Sequence, residues 1–558
     1  MLSKSSSFLV LGVSLLACGS SSGSSSDGGT KIPDTGLTRV DSSGGLIDSG
    51  AEASSDLLTQ RGDNSRTGVN SNEKVLTQAN VGSSVFGKLT SFAVDGQLYA
   101  QPLYVSGYPI GGKPTNLLVA ATANNSVYAF NTDTGASVWS APTKLGPPVP
   151  ASAANGTNAF PPPAVIGVTG TPVIDRVNGL LYVVNMDYAG SVVAHYFHVL
   201  DLATGAEKKG SPLVINPSVA GSGDDASTLL FGPSHELNRA GLLLLDGIVY
   251  VAFASQFDQL PYHGFILGYQ YDTALGTITQ KLAWSTSPDG QAGGIWQGGQ
   301  GLTVDAEKNI YVMTGNGTVN VQNGGTSYGE AFVKLSANLT VEDWFIPSTF
   351  SNLNEDDVDV GSGGPILIPG ASSYVVGAGK DGILRVIDTK QMGHLVADDT
   401  QIVQEIPFTN WFFGSPLAWE DPGGTTRLYV WGEDVPLKEF VLSGKLFGTT
   451  PIAVSTAITP GGYDPVGVLS LSSNGDASTS AILWASMPTD DPNGMSVPAI
   501  LYAFDPVTLE DLWDSSMVTR DSVGAFAKWV PPTIADGKVF MATNSNEVVV
   551  YGLRPDAG

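Results

Sequence analysis

The residues able to do chemistry are few, and their spacing is loose. The histidines are His195, His198, His235, His263 and His394, and none stands in an H-x-x-x-H or HExxH arrangement that would bind a metal. His195 and His198 lie in AHYFHVLD; on a strand, residues three apart point to opposite faces and do not readily share an ion. His235 and His263 flank consecutive strands, where hydrogen-bonded structural roles are expected. The run NEDDVDVGSGG (354–364) sets Asp357 and Asp359 at alternating positions. Hard oxygen donors so placed suit Ca²⁺, but the D-x-D-x-D-G order stops after two carboxylates, so a solvated acidic loop is the plainer expectation. Neither a G-x-S-x-G elbow nor a phosphate-binding P-loop occurs. Cys18 is the single cysteine, which rules out an intramolecular disulfide, a CxxCH haem site and a cysteine-based zinc site.

A second group is aromatic and polar: Trp296 and Gln297 in GGIWQGGQG, Trp411 in NWFFGS, Trp529 in AKWVPP, and Lys380 and Arg385 in GAGKDGILR, with Gln101 and His235 beside similar strands. Flat rings with a few polar groups are what small-molecule pockets present. Most of these residues stand at or just before a short apolar strand, so their use depends on what gathers those strands.

A repeat gathers them. Strands of one type recur about every 59 residues: NLLVAAT (116–122), LLYVVN (180–185), IVYVAF (248–253), NIYVMTG (309–315), SYVVGAG (373–379), RLYVWG (427–432), AILWAS (481–486) and KVFMAT (538–543). Ahead of most lies a smaller apolar strand such as GTPVID (170–175) or GSPLAW (414–419). Short strands at fixed period with Gly and Pro turns predict a propeller, and small residues suit innermost strands that crowd an axis. After each strand of the first type comes another, closed by an Asp or Asn turn. The last unit ends at EVVVYGL (547–553) with no fourth strand, whereas VFGKLTSFAVD (85–95) precedes the first unit unassigned. The predicted fold is all-β, an eight-bladed propeller whose final blade is closed by that N-terminal strand.

The turn segments carry a resemblance. VYAFNTDTGASVW (127–139) and LYAFDPVTLEDLW (501–513) are similar to the A-x-D-x-x-T-G-x-x-x-W repeat of quinoprotein propellers, with Asn131 in the Asp place and Leu509 in the Gly place. FHVLDLATGAEKK (197–209) keeps Asp201, Thr204 and Gly205 but has Lys209 for Trp, and LRVIDTKQMG (384–393) keeps Asp388. The stretch from residue 61 onward resembles exported quinoprotein-like repeat proteins of bacteria. The resemblance implies the fold. In the catalytic members it also implies pyrroloquinoline quinone under a disulfide of adjacent cysteines, a calcium ion and an Asp base. A single cysteine forbids the disulfide; glucose-type members manage without it. No cofactor is therefore expected, with quinone and calcium kept as candidates, the calcium at Asp357 and Asp359. Catalytic residues are not assigned.

Residues 1–17 read as a signal peptide, Lys4 followed by FLVLGVSLLA, and LLAC ending at Cys18 resembles a lipobox. Residues 18–55, rich in Ser and Gly, form the expected flexible tether, and 56–558 the propeller. An acylated Cys18 would anchor the chain to a membrane, and Gly19 favours the outer membrane or cell surface by resemblance to other lipoproteins. The net charge of −26 repels phosphate backbones and argues against nucleic acid. Arg61-Gly62-Asp63 spells an adhesion tripeptide and is given no weight. The expected function is non-catalytic binding or scaffolding at the outer membrane or cell surface, with a protein or glycan partner. The alternatives are a quinone- and calcium-dependent alcohol or sugar dehydrogenase, and a carbohydrate-binding or adhesion module.

Overall fold

The computed structural model describes residues 55–555 except 83, 151, 154–164, 225–226, 371–372, 410, 463–466 and 476. The expected signal peptide, most of the expected tether and Cys18 lie outside the described residues.

Eight antiparallel sheets follow one another along the chain. In each, the blade's first strand pairs with its second and with no other strand of that blade, and so lies at one edge of the blade. These first strands are Leu103–Ile110, Val173–Asp175, Leu243–Leu245, Thr303–Val304, Ile366–Leu367, Leu417–Glu420, Val468–Asn474 and Thr533–Ala535. First strands touch between blades two and three, four and five, five and six, seven and eight, and eight and one, and a Gly241–Gly301 bridge joins blades three and four, so the ring is closed and these strands are innermost. The chain is an eight-bladed β-propeller.

Its core is a circle of separate cores. Each of the eight blade interfaces has its own hydrophobic cluster. The turn motif explains part of this. Asn131 accepts hydrogen bonds from the Asp133 and Thr134 amides, and Gly135 completes the turn at φ 73°. That turn leads to Trp139, which is buried between blades one and two and donates its indole N–H to the Leu202 carbonyl. Trp513 is buried likewise between blades seven and eight.

Closure follows the expectation. Phe86–Ala93 pairs antiparallel with Glu547–Leu553, from Phe86 opposite Leu553 to Ala93 opposite Glu547. Phe86 then packs among Trp484, Trp513 and Tyr551, and Glu547–Leu553 is covered by a fourth strand, as an unpaired edge there would otherwise invite wrong pairing.

One feature has no repeat signature. Residues 57–73 touch the inner strands of seven blades. Leu57 pairs with Tyr104, Leu58 accepts from the Ile174 amide, and Asn64 accepts from the Val304 amide. Thr59 donates to the Leu242 carbonyl, Arg61 to Pro416 and Asn70 to Ile534. Val69–Asn70 adds a parallel strand beside Leu471 and Ser472. A segment in contact with so much of the ring lies across its axis and plugs it. Arg61 and Arg66 are buried in this plug, with Arg61 only 2% exposed. The Arg-Gly-Asp tripeptide is therefore structural: Asp63 accepts from the Thr67 hydroxyl at 2.5 Å.

Candidate functional site

Above the plug, the loops that lead into the inner strands converge on an axial funnel. It encloses about 820 Å³ counted out to its open mouth, open solvent included. Trp296, Trp529, Phe257 and Phe413 supply aromatic walls, and Arg239, Gln256, Asp258, Asn316, Asp357, Asp359 and Lys380 supply the polar groups.

Local backbone explains how the loops interleave. A Cβ on Gly298 would stand 2.6 Å from the Phe413 carbonyl, and one on Gly299 2.7 Å from the Trp529 carbonyl. Only glycine permits that approach. Four lining residues hold left-handed backbone: Phe257 (φ 57°), Asp258 (φ 53°), Asp357 (φ 53°) and Trp529 (φ 59°). For Phe and Trp this costs on the order of 1–3 kcal/mol each, and such strain concentrates at functional sites.

The electrostatic centre is a lysine between two aspartates. The Lys380 ammonium lies 2.9 Å from Asp357 and 2.7 Å from Asp359. Asn316 donates its amide N–H to Asp357 at 2.6 Å, and the Lys380 backbone N–H donates to the Asp359 carbonyl. Burial pulls the Lys380 pKa down, but Asp359 and Asp357 outweigh it and the net shift is upward, so the ammonium stays charged. Burial raises the Asp359 carboxyl despite Lys380. Glu330, whose carboxylate accepts the Val360 amide, is pushed well up by burial and then by Asp359. Asp258, hydrogen-bonded to Ser255 and Tyr262, is raised by burial and by Asp359.

Three lining side chains keep an acceptor oxygen with no protein donor: Gln256 Oε1, Asn316 Oδ1 and Asp359 Oδ2. An unmatched buried acceptor costs about 1–3 kcal/mol.

Of the residues singled out in the sequence, the funnel gathers Trp296, Trp529, Lys380, Asp357 and Asp359. It leaves the others out. Gln101 lies at the plug, where its side-chain oxygen accepts from the Arg61 amide and its nitrogen donates to Thr533. Gln297 is buried against the Gly301 carbonyl. Arg385 sits inside blade five, paired with Asp381 and Glu405. His235 bonds the Gln259 carbonyl. Trp411 stands behind the wall, stacked on Phe413 with centroids 5.9 Å apart. Asp357 and Asp359, taken as calcium candidates, share the lysine. Among the described residues no group of three or more His, Cys, Asp or Glu side chains is placed to hold a metal ion.

Sequence reasoning passed over Arg239, Gln256, Phe257, Asp258 and Asn316. Arg239 lies over Trp529, its guanidinium carbon 3.7 Å from the ring centroid. His263 looks triad-like, 2.9 Å from the Ser287 hydroxyl and 3.3 Å from Asp224. That hydroxyl is fully buried and donates to the Ala292 carbonyl, so the group is a structural hydrogen-bond chain. His195, buried beneath the Pro233 and Glu236 carbonyls, has its pKa lowered to about 4 by that burial; it too serves packing.

The class this geometry defines is an eight-bladed β-propeller with an axial funnel. No protein-family profile and no curated protein sequence matches the chain. Among solved structures it is similar to quinohemoprotein alcohol dehydrogenase ADHIIG from Pseudomonas putida HK5, with 12% identity, 89% of this chain and 80% of that chain covered, and a TM-score of 0.53. A europium-containing methanol dehydrogenase aligns over 87% of this chain and 81% of its own, with 15% identity and a TM-score of 0.48. At these identities the likeness is one of fold. The fold raises quinone and calcium, and the lining does not fit them. Lys380 already occupies the space between the carboxylates that would face a calcium ion. Three lining carboxylates against two cations oppose a quinone that itself carries carboxylates.

Proposed function

We propose that this chain is a non-catalytic binding protein on a quinoprotein-like propeller, with the axial funnel as its ligand site. Lipid at Cys18 would hold it to the outer membrane or cell surface. The observation that carries the reading is the lysine ammonium fixed between Asp357 and Asp359 in an aromatic funnel: the site has a built-in cation and strained aromatic walls, and among the described residues no nucleophile is paired there with a base. The N-terminal sequence supports the anchor.

The test uses the full chain with Cys18→Ser, titrated calorimetrically with pyrroloquinoline quinone with and without Ca²⁺, then assayed for dye-linked oxidation of alcohols and aldoses. No saturable quinone binding and no turnover are expected. Calcium-dependent binding with turnover would replace this reading by that of an oxidoreductase. Cys18→Ser should also move the protein from the membrane fraction to the soluble fraction.

A further inference from the structure

The unmatched polar atoms on the residues lining the funnel are all acceptors. Asn316 is fixed in orientation, because the amide group facing the Asp357 carboxylate must be its NH₂; the atom left over is the carbonyl oxygen. Asp359 is 2% exposed, with one oxygen on Lys380 and the other unmatched. Gln256 is fully buried, its nitrogen toward the Met186 sulfur and its oxygen unmatched. The two cations are already engaged, Lys380 by two carboxylates and Arg239 over Trp529. A ligand that completes this site brings hydrogen-bond donors and no negative charge.

The funnel does not end at its rim. A second recess shares Asp258 and Asn316 with it and continues along Tyr262, Gln291, Thr318 and Asn354. It is open, enclosing about 780 Å³ out to its mouth, and those four side chains are neutral and hydrogen-bonding. One wall therefore joins an aromatic, acceptor-rich chamber to a polar trough.

The geometry points to a site for a neutral polyhydroxylated chain, an oligosaccharide of two or more units, with one ring in the funnel beside Trp296 and the next in the recess beyond Asn316. Sugar hydroxyls supply the missing donors, and ring faces with C–H bonds suit the indoles. This rests on the reading of the funnel as a ligand site and adds the ligand's chemistry and extent.

The experiment titrates the full chain carrying Cys18→Ser with cellohexaose, maltohexaose, mannohexaose and chitohexaose, their monosaccharides, and hexagalacturonate as an anion of equal length. Tryptophan fluorescence and calorimetry are the readouts. One neutral hexasaccharide should bind with one-to-one stoichiometry, at least tenfold tighter than its monosaccharide. Gln291→Ala, at an exposed position, should remove that chain-length gain and leave monosaccharide binding unchanged. Trp296→Ala should weaken both at least tenfold with the melting temperature unchanged. Equal affinity for hexamer and monomer, or no saturable response to any neutral chain, overturns the inference. If hexagalacturonate or pyrroloquinoline quinone alone binds and Trp296→Ala abolishes it, the funnel stands as a ligand site and the neutral-chain inference falls. If none of these probes binds, both fall.

Discussion

The Lys380 ammonium lies 2.7 Å from Asp359 in the funnel wall, an ion pair almost fully withdrawn from water on the aspartate side. Breaking such a pair from one partner leaves an uncompensated charge, at a cost of roughly 3–5 kcal/mol. Lys380→Met should lower the unfolding free energy by about that amount in chemical denaturation. In Lys380→Ala the vacated space faces Asp357, Asp359 and the Asn316 amide. Millimolar Ca²⁺ should then raise the melting temperature of the variant and leave the parent unchanged. A parent stabilised equally by Ca²⁺ would show that the lysine does not take the cation's place.

Glu330 gives the funnel a pH dependence of definite sign. Its pKa in the fold is raised well above the ordinary 4.5, by burial first and then by Asp359. The folded state therefore holds the proton more tightly than the unfolded state. The stabilisation is complete below about pH 4.5 and is lost as pH rises through the folded value. Glu330→Gln removes the titration while keeping an acceptor for the Val360 amide. The variant's melting temperature relative to the parent should increase as pH rises above about 4.5, until the folded value is passed. A difference that does not change with pH would show that Glu330 is charged throughout.

Closure of the ring concentrates stability at Phe86. Its ring meets Trp513 edge-on at 4.9 Å and lies 5.6 Å from Trp484, so it joins blade eight to blade seven. Phe86→Ala should cost about 3–5 kcal/mol, read as a single transition at lower temperature. Deleting residues 85–95 exposes the Glu547–Leu553 edge and should destabilise the whole ring. An unchanged melting curve for the deletion would refute closure by this strand.

Blades and closure were legible because both depend on local chemistry that repeats. Asn131, Asp201 and Asp505 each accept the amides that build their turns, and a final unit lacking a strand must find one elsewhere. The funnel was partly legible. Standing before an inner strand fixes a residue's height along the axis, which placed Trp296 and Trp529; Lys380 was found in the turn after Tyr374–Gly377, the second strand of its blade. It does not fix which way the side chain points. Trp296 lines the chamber, whereas Gln297 beside it turns into the protein. Phe257, Asp258 and Asn316 arrive from loops after the second strands, where no period marks them. The plug has no period either: its two arginines belong to no repeat and are held by backbone carbonyls that only the closed ring assembles.

Arg66 shows how much that assembly carries. Its guanidinium donates to the Thr59 hydroxyl at 2.6 Å, the Gln60 carbonyl at 2.7 Å, the Leu302 carbonyl at 2.9 Å and the Leu242 carbonyl at 3.2 Å. It thus ties the plug to blades three and four. Hydrogen bonds to charged groups contribute about 1.5–3 kcal/mol each, and their loss also strands the buried acceptors. Arg66→Met, close in length and apolar, should cost at least about 3 kcal/mol in denaturant unfolding. A lysine can charge the site but cannot reach four acceptors in one plane, so Arg66→Lys should recover only part of the loss. Full recovery by Arg66→Lys would mean that charge alone is needed there. A loss below about 1 kcal/mol in Arg66→Met would mean that the plug is pinned chiefly by its strand pairing at Val69 and Asn70.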